Sequence, residues 1–137
     1  MIKSIAILAF IVVSISCISG CISGGDEKLT LEEIAEYKVI DNFREGNYED
    51  IYELFNDDMK DYLNVSDLED LWDAVVEQFG VVVDIEGENA SREPLTEGGE
   101  EYIAVYIPCD FESGTRLSVQ VVFDKDELIA GLWFLPL

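Results

Sequence analysis

The stretch SDLEDLWDAVVEQFG, residues 66–80, decides the fold because the periodicity of the chain changes at its end. Ser66 with Glu69 three residues later forms a capping-box pattern, and Gly80 is a typical residue for a helix end. The stretch therefore predicts a helix over residues 66–79. Its apolar side chains recur at the spacing of one helix face, and they are Leu68, Leu71, Trp72, Val75, Val76 and Phe79.

The chain after Gly80 follows the period of two that is typical of strands. The polar residues 89–100, which include Pro94, Gly98 and Gly99, are predicted to form a loop. Residues 128–135 are apolar on both faces, which is typical of a strand that is central or covered on both sides. Strands are predicted over residues 81–86, 101–111, 116–123 and 128–135.

Two of these strands, residues 101–111 and 116–123, have one apolar face and one more polar face. The apolar face is expected to pack on the helices. A bulge at Pro108 is an open alternative, and it would exchange the two faces of the strand beyond that residue. The more polar face carries Tyr102, Tyr106, Asp110, Arg116 and Gln120.

Shorter helical segments precede residue 66. Residues 29–44 combine a Thr30 and Glu33 capping-box pattern with a broad apolar side, and Gly46 is the predicted stop. Asn47 is predicted to cap residues 48–55, and residues 59–63 form one further turn. Because the helices come before the strands, the sequence predicts an α+β fold. Its N-terminal helices pack on a curved four-stranded antiparallel sheet that curls around the helix of residues 66–79.

The first 20 residues have the features of an export signal. A positive charge at Lys3 precedes an apolar run that is shorter than the about 20 residues a membrane span needs. The run ends in Ile-Ser-Gly before Cys21, which resembles the lipobox of prokaryotic lipoproteins, in which the cysteine is lipidated. Cys17 as a rival acceptor, an uncleaved anchor and ordinary cleavage are the alternatives.

This lipobox predicts the organisation of the whole chain. Residues 1–20 are a signal peptide, residues 21–28 a lipidated tether, and residues 29–137 a single domain. Lipid at Cys21 would hold that domain on the outer face of the cytoplasmic membrane.

The composition limits the partners of the chain. Its 30 acidic and 8 basic residues give a formal net charge of −22, which argues against nucleic acid because phosphates would be repelled. An anionic membrane would be repelled as well, so membrane contact is expected through the lipid alone. The chain has no histidine, the commonest general base and metal ligand. Cys109 lies in an apolar strand and is predicted to be a buried thiol without a disulfide.

Three groups of residues resemble known families. GNYEDIYELF, residues 46–55, resembles the opening of cone-shaped domains of the nuclear-transport-factor-two-like (cystatin-like) superfamily. LEDLW at residues 68–72, QFG at residues 78–80 and IAGLWF at residues 129–134 resemble the family called domain of unknown function 3887. The resemblance implies a nuclear-transport-factor-two-like cone on a secreted or lipid-anchored protein. The matching residues are structural, so the resemblance implies little about activity.

Few residues point to chemistry. Asn64 and Asn89 each begin an Asn-x-Ser glycosylation pattern, which would be meaningful in an exported archaeal protein and inert in most bacteria. The carboxylates within residues 57–61 and 124–127 lack the loop spacing of a calcium motif. No catalytic residue, metal site or cofactor is predicted.

The sequence favours a non-enzymatic module that binds a ligand or a protein. The cone would hold a small apolar ligand, or the more polar sheet face would bind a second copy or a cell-surface protein. Tyr102, Tyr106, Asp110, Arg116 and Gln120 are the candidate residues of that face. The alternative is an isomerase- or dehydratase-like enzyme that uses Asp or Tyr side chains in the cone pocket.

Overall fold

The structure, a computed structural model, describes residues 28–137. The predicted signal peptide, Cys21 and most of the tether lie outside the described residues. Within them, helices precede a five-stranded antiparallel sheet, so the predicted α+β class is confirmed. No helix between residues 28 and 137 has both the length and the apolar character to cross a membrane.

The first helix, α1, has three consecutive parts: α-helical Leu31–Glu33, π-helical Ile34–Ile40 and α-helical Asp41–Glu45. Its predicted capping box is present, because the Glu33 backbone N–H donates to Thr30 Oγ1 over 3.1 Å and the Thr30 N–H donates to Glu33 Oε1 over 2.9 Å. Three further helices follow: α2 (Tyr48–Tyr52), α3 (Asp57–Tyr62) and α4 (Val65–Phe79).

The cap of α4 differs from the sequence prediction. Asn64 Oδ1 accepts a hydrogen bond from the Asp67 N–H over 2.8 Å, and Asp67 Oδ2 accepts one from the Asn64 N–H over 3.0 Å. The predicted Ser66 cap is wrong because Asn64 and Asp67 form an equally good capping pair two residues earlier. Asn47 occupies the N-cap position of α2, as predicted, but its side chain makes no capping bond and donates to Glu45 Oε1 over 3.1 Å instead.

The sheet is four strands wide although it has five strands. β1 and β2 both pair with β3, one near each end of it, and β4 and β5 follow on the other side. A 3₁₀ turn at Gly87–Asn89 separates β1 from β2. The strands are β1 (Val82–Ile85), β2 (Ser91–Glu97), β3 (Glu100–Phe111), β4 (Arg116–Phe123) and β5 (Ile129–Pro136).

The strand β2 lies where the sequence predicts a loop, so that prediction is wrong. The residues of β2 are polar because both of its faces are exposed. Pro94 fits there because an edge strand has backbone positions that need no N–H donor. Gly98 and Gly99 have φ angles of 61° and 83°, as a two-residue hairpin turn requires, so this glycine pair was the missed signal.

The inner face of the sheet and the helices form the core. The register of β3 and β4 runs through Pro108 without a shift, so no bulge exchanges their faces. Trp72 of α4 stacks on Phe43 of α1 with ring centroids 5.0 Å apart and lies 5.9 Å from Phe134 of β5. The predicted apolar face is confirmed by the burial of Val105, Ile107, Cys109, Phe111, Leu117, Val119, Val121 and Phe123.

The last strand, β5, is an edge strand, which contradicts the predicted central or doubly covered position. Its start is covered, because Phe55 forms a parallel bridge with Ile129 and the Asn56 N–H donates to the Ile129 carbonyl over 2.9 Å. Trp133 is nevertheless 50% exposed. The outer face of β5 is apolar because its Trp133 and Leu135 line a surface groove.

We expect Asn64→Ala to lower the free energy of unfolding by about 1 kcal/mol, because it removes the cap of α4. Ser66→Ala, at the position that the sequence predicts, should change it by less than about 0.5 kcal/mol. Urea unfolding followed by circular dichroism measures both values. A larger loss in Ser66→Ala than in Asn64→Ala would show that the helix is capped at residue 66.

Candidate functional site

The interior of the domain is filled by apolar side chains. Trp72, Phe111 and Phe123 are buried, and the ring of Phe79 lies 5.9 Å from that of Phe111. Among residues 28–137, Ser118 is the one polar or charged residue that is buried. No Asp or Tyr side chain of residues 28–137 is therefore fully buried, although Tyr48 and Tyr52 pack partly buried against the core.

A groove of about 390 Å³ lies on the outer face of the sheet. Outward side chains of β3 and β4, among them Tyr102, Gln120 and Val122, form its floor. Leu95 of β2 lines one wall, and Trp133 of β5 lines the opposite wall. Strands at opposite edges of the sheet thus line the same space, so the outer face is concave here.

A β-bulge directs Trp133 into this groove. Val122 pairs with Gly131 while Phe123 pairs with Ile129, which leaves Ala130 as an extra residue in β5. The extra residue reverses the alternation of side chains beyond it. Ile129 is therefore buried in the core, whereas Trp133 points outward.

Trp133 lines two cavities. The Cζ3–Cη2 edge of its indole lies against Gly131, where any Cβ atom would overlap these ring atoms. The Cζ3–Cη2 edge of the ring is thus against the backbone, and half of the side chain is exposed. The second cavity, of about 290 Å³, is also lined by the 80%-exposed Tyr62.

The charged side chains that line the groove are acidic. Asp58 lies in the first turn of α3, and Glu97 is the last residue of β2. Asn56 positions α3, because its Oδ1 accepts from the Met59 N–H over 2.9 Å and its Nδ2 donates to Asp124 Oδ2 over 3.1 Å. Of the described residues that line the groove, none is a lysine or an arginine.

The five residues predicted for the more polar sheet face all lie on the outer face, but they form two groups. Tyr102 and Gln120 line the groove. Tyr106 lies beside it, where its hydroxyl accepts from Gln120 Nε2 over 3.0 Å and donates to Glu93 Oε1 over 3.2 Å. Burial and the hydrogen bond to Glu93 raise the pKa of the Tyr106 hydroxyl.

The second group, Asp110 and Arg116, lies at the far end of the face in an ion-pair network. Arg116 donates from Nε to Asp110 Oδ1 and from Nη2 to Glu86 Oε2, both over 2.8 Å. These hydrogen bonds raise the pKa of Arg116. The carboxylates of Asp84, Glu86 and Asp110 lie within 4.8 Å of one another, and Arg116 supplies positive charge there. Sequence spacing gave no signal for this cluster because β1 and β3 are distant along the chain.

Both glycosylation candidates are exposed, and the side chain of each makes a hydrogen bond. Asn64 caps α4, and Asn89 Nδ2 donates to Glu86 Oε1 over 2.9 Å. Glycosylation at either residue stays a prediction.

The acidic segments at residues 57–61 and 124–127 have structural roles, one at a helix start and one at a hairpin tip. Residues 57 and 58 begin α3. Asp124 Oδ1 holds the turn before β5 by accepting from the Asp126 N–H over 2.9 Å and from the Leu128 N–H over 3.0 Å.

The thiol of Cys109 is buried and free, as the sequence predicts. Burial raises the pKa of this thiol to about 12. Because the thiolate is the reactive form of cysteine, Cys109 is an inert core residue at neutral pH.

A family model described as a protein of unknown function, DUF3887, matches residues 37–132. The chain belongs to this family. The match confirms the resemblance to domain of unknown function 3887 and extends from α1 to Leu132 of β5. Membership in the nuclear-transport-factor-two-like superfamily stays a prediction. Neither a curated protein nor a solved structure matches this DUF3887 chain significantly.

We expect Gly131→Ala to destabilise the DUF3887 domain by about 1 kcal/mol, because the new methyl group would displace the half-exposed end of the Trp133 indole. In a Trp133→Ala background the same substitution should be close to neutral, since the ring is absent. Unfolding of the two single variants and the double variant gives this coupling directly. Additive losses would mean that the indole does not lie against Gly131.

Proposed function

We propose that this DUF3887 domain is a non-enzymatic binding module whose ligand occupies the outer-face groove. The observation that carries the proposal is the half-exposed indole of Trp133 beside a concave space of about 390 Å³. Large aromatic side chains beside a concave surface are typical of binding sites. Among the described residues no acid or base is buried in the core, which disfavours the isomerase alternative in its cone.

The size of the groove favours a small molecule. A volume of about 390 Å³ falls within the range of about 300–1,000 Å³ that is usual for small-molecule sites. A homodimer through this face is disfavoured by charge. Each copy carries a net charge of −22, and the pairing would bring Asp58 and Glu97 of one copy toward those of the other.

The location that we propose follows from the sequence. Lipid at Cys21 would tether the domain to the outer face of the cytoplasmic membrane, and the short segment before Lys28 would set its reach. The domain would then meet ligands in the medium outside the membrane.

Ligand binding at the groove can be tested in the full chain because the chain contains only two tryptophans, Trp72 and Trp133. The chain is labelled with 5-fluorotryptophan in neutral detergent micelles, and the Trp133 resonance is assigned by Trp133→Phe. Titration with a fragment set of neutral, anionic and cationic members should shift the Trp133 resonance saturably for some fragments. The buried Trp72 should stay unchanged and serves as the internal control. Fragments that shift Trp72 alone, or none that shift Trp133, would contradict the groove as the binding site.

Cys21→Ser should release the protein from membranes and remove the mass of the acyl groups, because the thioether would be lost. Cys17→Ser is the matched control and should leave attachment unchanged. Membrane fractionation and intact-mass spectrometry measure both effects. Attachment that survives Cys21→Ser would point to an uncleaved anchor or to Cys17.

A further inference from the structure

We infer that the groove binds a small organic cation, an alkylated ammonium compound in particular. This inference rests on the proposed function of the groove, and it names the chemistry of the ligand.

The charges around the groove favour a cation at short range and at long range. Asp58 and Glu97 place two carboxylates on its lining, and the described lining residues include no basic side chain. The net charge of −22 adds a field that attracts cations to the domain from solution.

The aromatic rings distinguish an organic cation from other cations. Trp133 is half-exposed and lines the groove, and Tyr102 lines the same groove. The face of an aromatic ring attracts ammonium groups, and tryptophan does so most strongly. The methyl groups of an alkylated ammonium would also contact the apolar side chains of Leu95 and Leu135.

A metal ion fits the groove less well than an organic cation. Divalent cations need several oxygen ligands close together. In residues 28–137 the carboxylates spaced in that way are those of Asp84, Glu86 and Asp110, which lie outside the groove beside Arg116. Asp58 and Glu97 belong to no such cluster in the described residues, so they suit a diffuse charge with an apolar surface.

The test compares a cation with its uncharged isostere on the fluorine-labelled full chain. Choline and 3,3-dimethylbutan-1-ol have the same shape and differ in charge. Choline should shift the Trp133 resonance saturably and bind at least about 10-fold more tightly than the alcohol, because the alcohol lacks the cation–π and carboxylate attraction.

Paired variants distinguish the effect of the groove carboxylates from the effect of the net negative charge of the domain. Asp58→Asn with Glu97→Gln should weaken choline binding by about 10-fold. The control pair, Asp70→Asn with Glu77→Gln, removes the same charge from exposed positions of α4 that do not line the groove, and it should change choline binding by less than about 2-fold.

Each outcome decides between the inference and the proposed function. If the alcohol binds at Trp133 as tightly as choline, the groove is a binding site but the cation inference is wrong. If neutral or anionic fragments shift the Trp133 resonance and choline does not, only the cation inference is wrong. If no probe shifts the Trp133 resonance, both the cation inference and the proposed function of the groove are wrong. Equal losses of choline affinity in the two paired variants would mean diffuse attraction by the net charge. A trilysine peptide that outcompetes choline would assign the groove to a protein partner. Either result overturns the cation inference.

Discussion

The β-bulge at Ala130 is the constraint on which the outer groove depends. One extra residue in β5 separates Ile129, which closes the core, from Trp133, which faces outward. A strand with regular alternation would turn the indole toward the helices, where Phe43 and Trp72 already fill the space. The bulge therefore serves the core and the groove at once, because it lets an apolar strand supply side chains to both faces. Gly131 completes the arrangement by leaving room for the indole on the backbone.

The filled interior and the open outer face are consequences of the same packing. The stacked rings of Phe43 and Trp72, with Phe134 beside them, occupy the volume between the helices and the sheet. The concave space that remains lies on the other side of the sheet, between β2 and β5. Asn56 links α3 to the turn before β5 and so brings Asp58 to the end of this space. Carboxylates and aromatic rings thereby meet in one groove although they come from separate elements.

Local patterns in the sequence predict the features that local physics determines. The helical stripe of residues 66–79, the Thr30 and Glu33 capping box and the two faces of β3 and β4 all follow from spacing, and the structure confirms them. The strand β2 lacks an apolar alternation because both of its faces are exposed and polar, so the sequence pattern predicts a loop there. The turn at Gly98 and Gly99 is the local feature that indicates a hairpin. The bulge and the contact of Asp58 with the groove depend on pairing between distant segments, which a period of two does not reveal. The sequence pattern therefore predicts a central or doubly covered position for β5, whereas its outer face is a groove wall.

The central claim is that Trp133 lies outward against Gly131, and proton NMR distances test it most directly. Nuclear Overhauser contacts should join the Gly131 α-protons to the six-membered ring of Trp133. Contacts from Gly131 to Val122 across the strand pair should accompany them. Contacts from the Trp133 ring to Phe43 or Trp72, with none to Gly131, would place the indole in the core and contradict both the bulge and the groove.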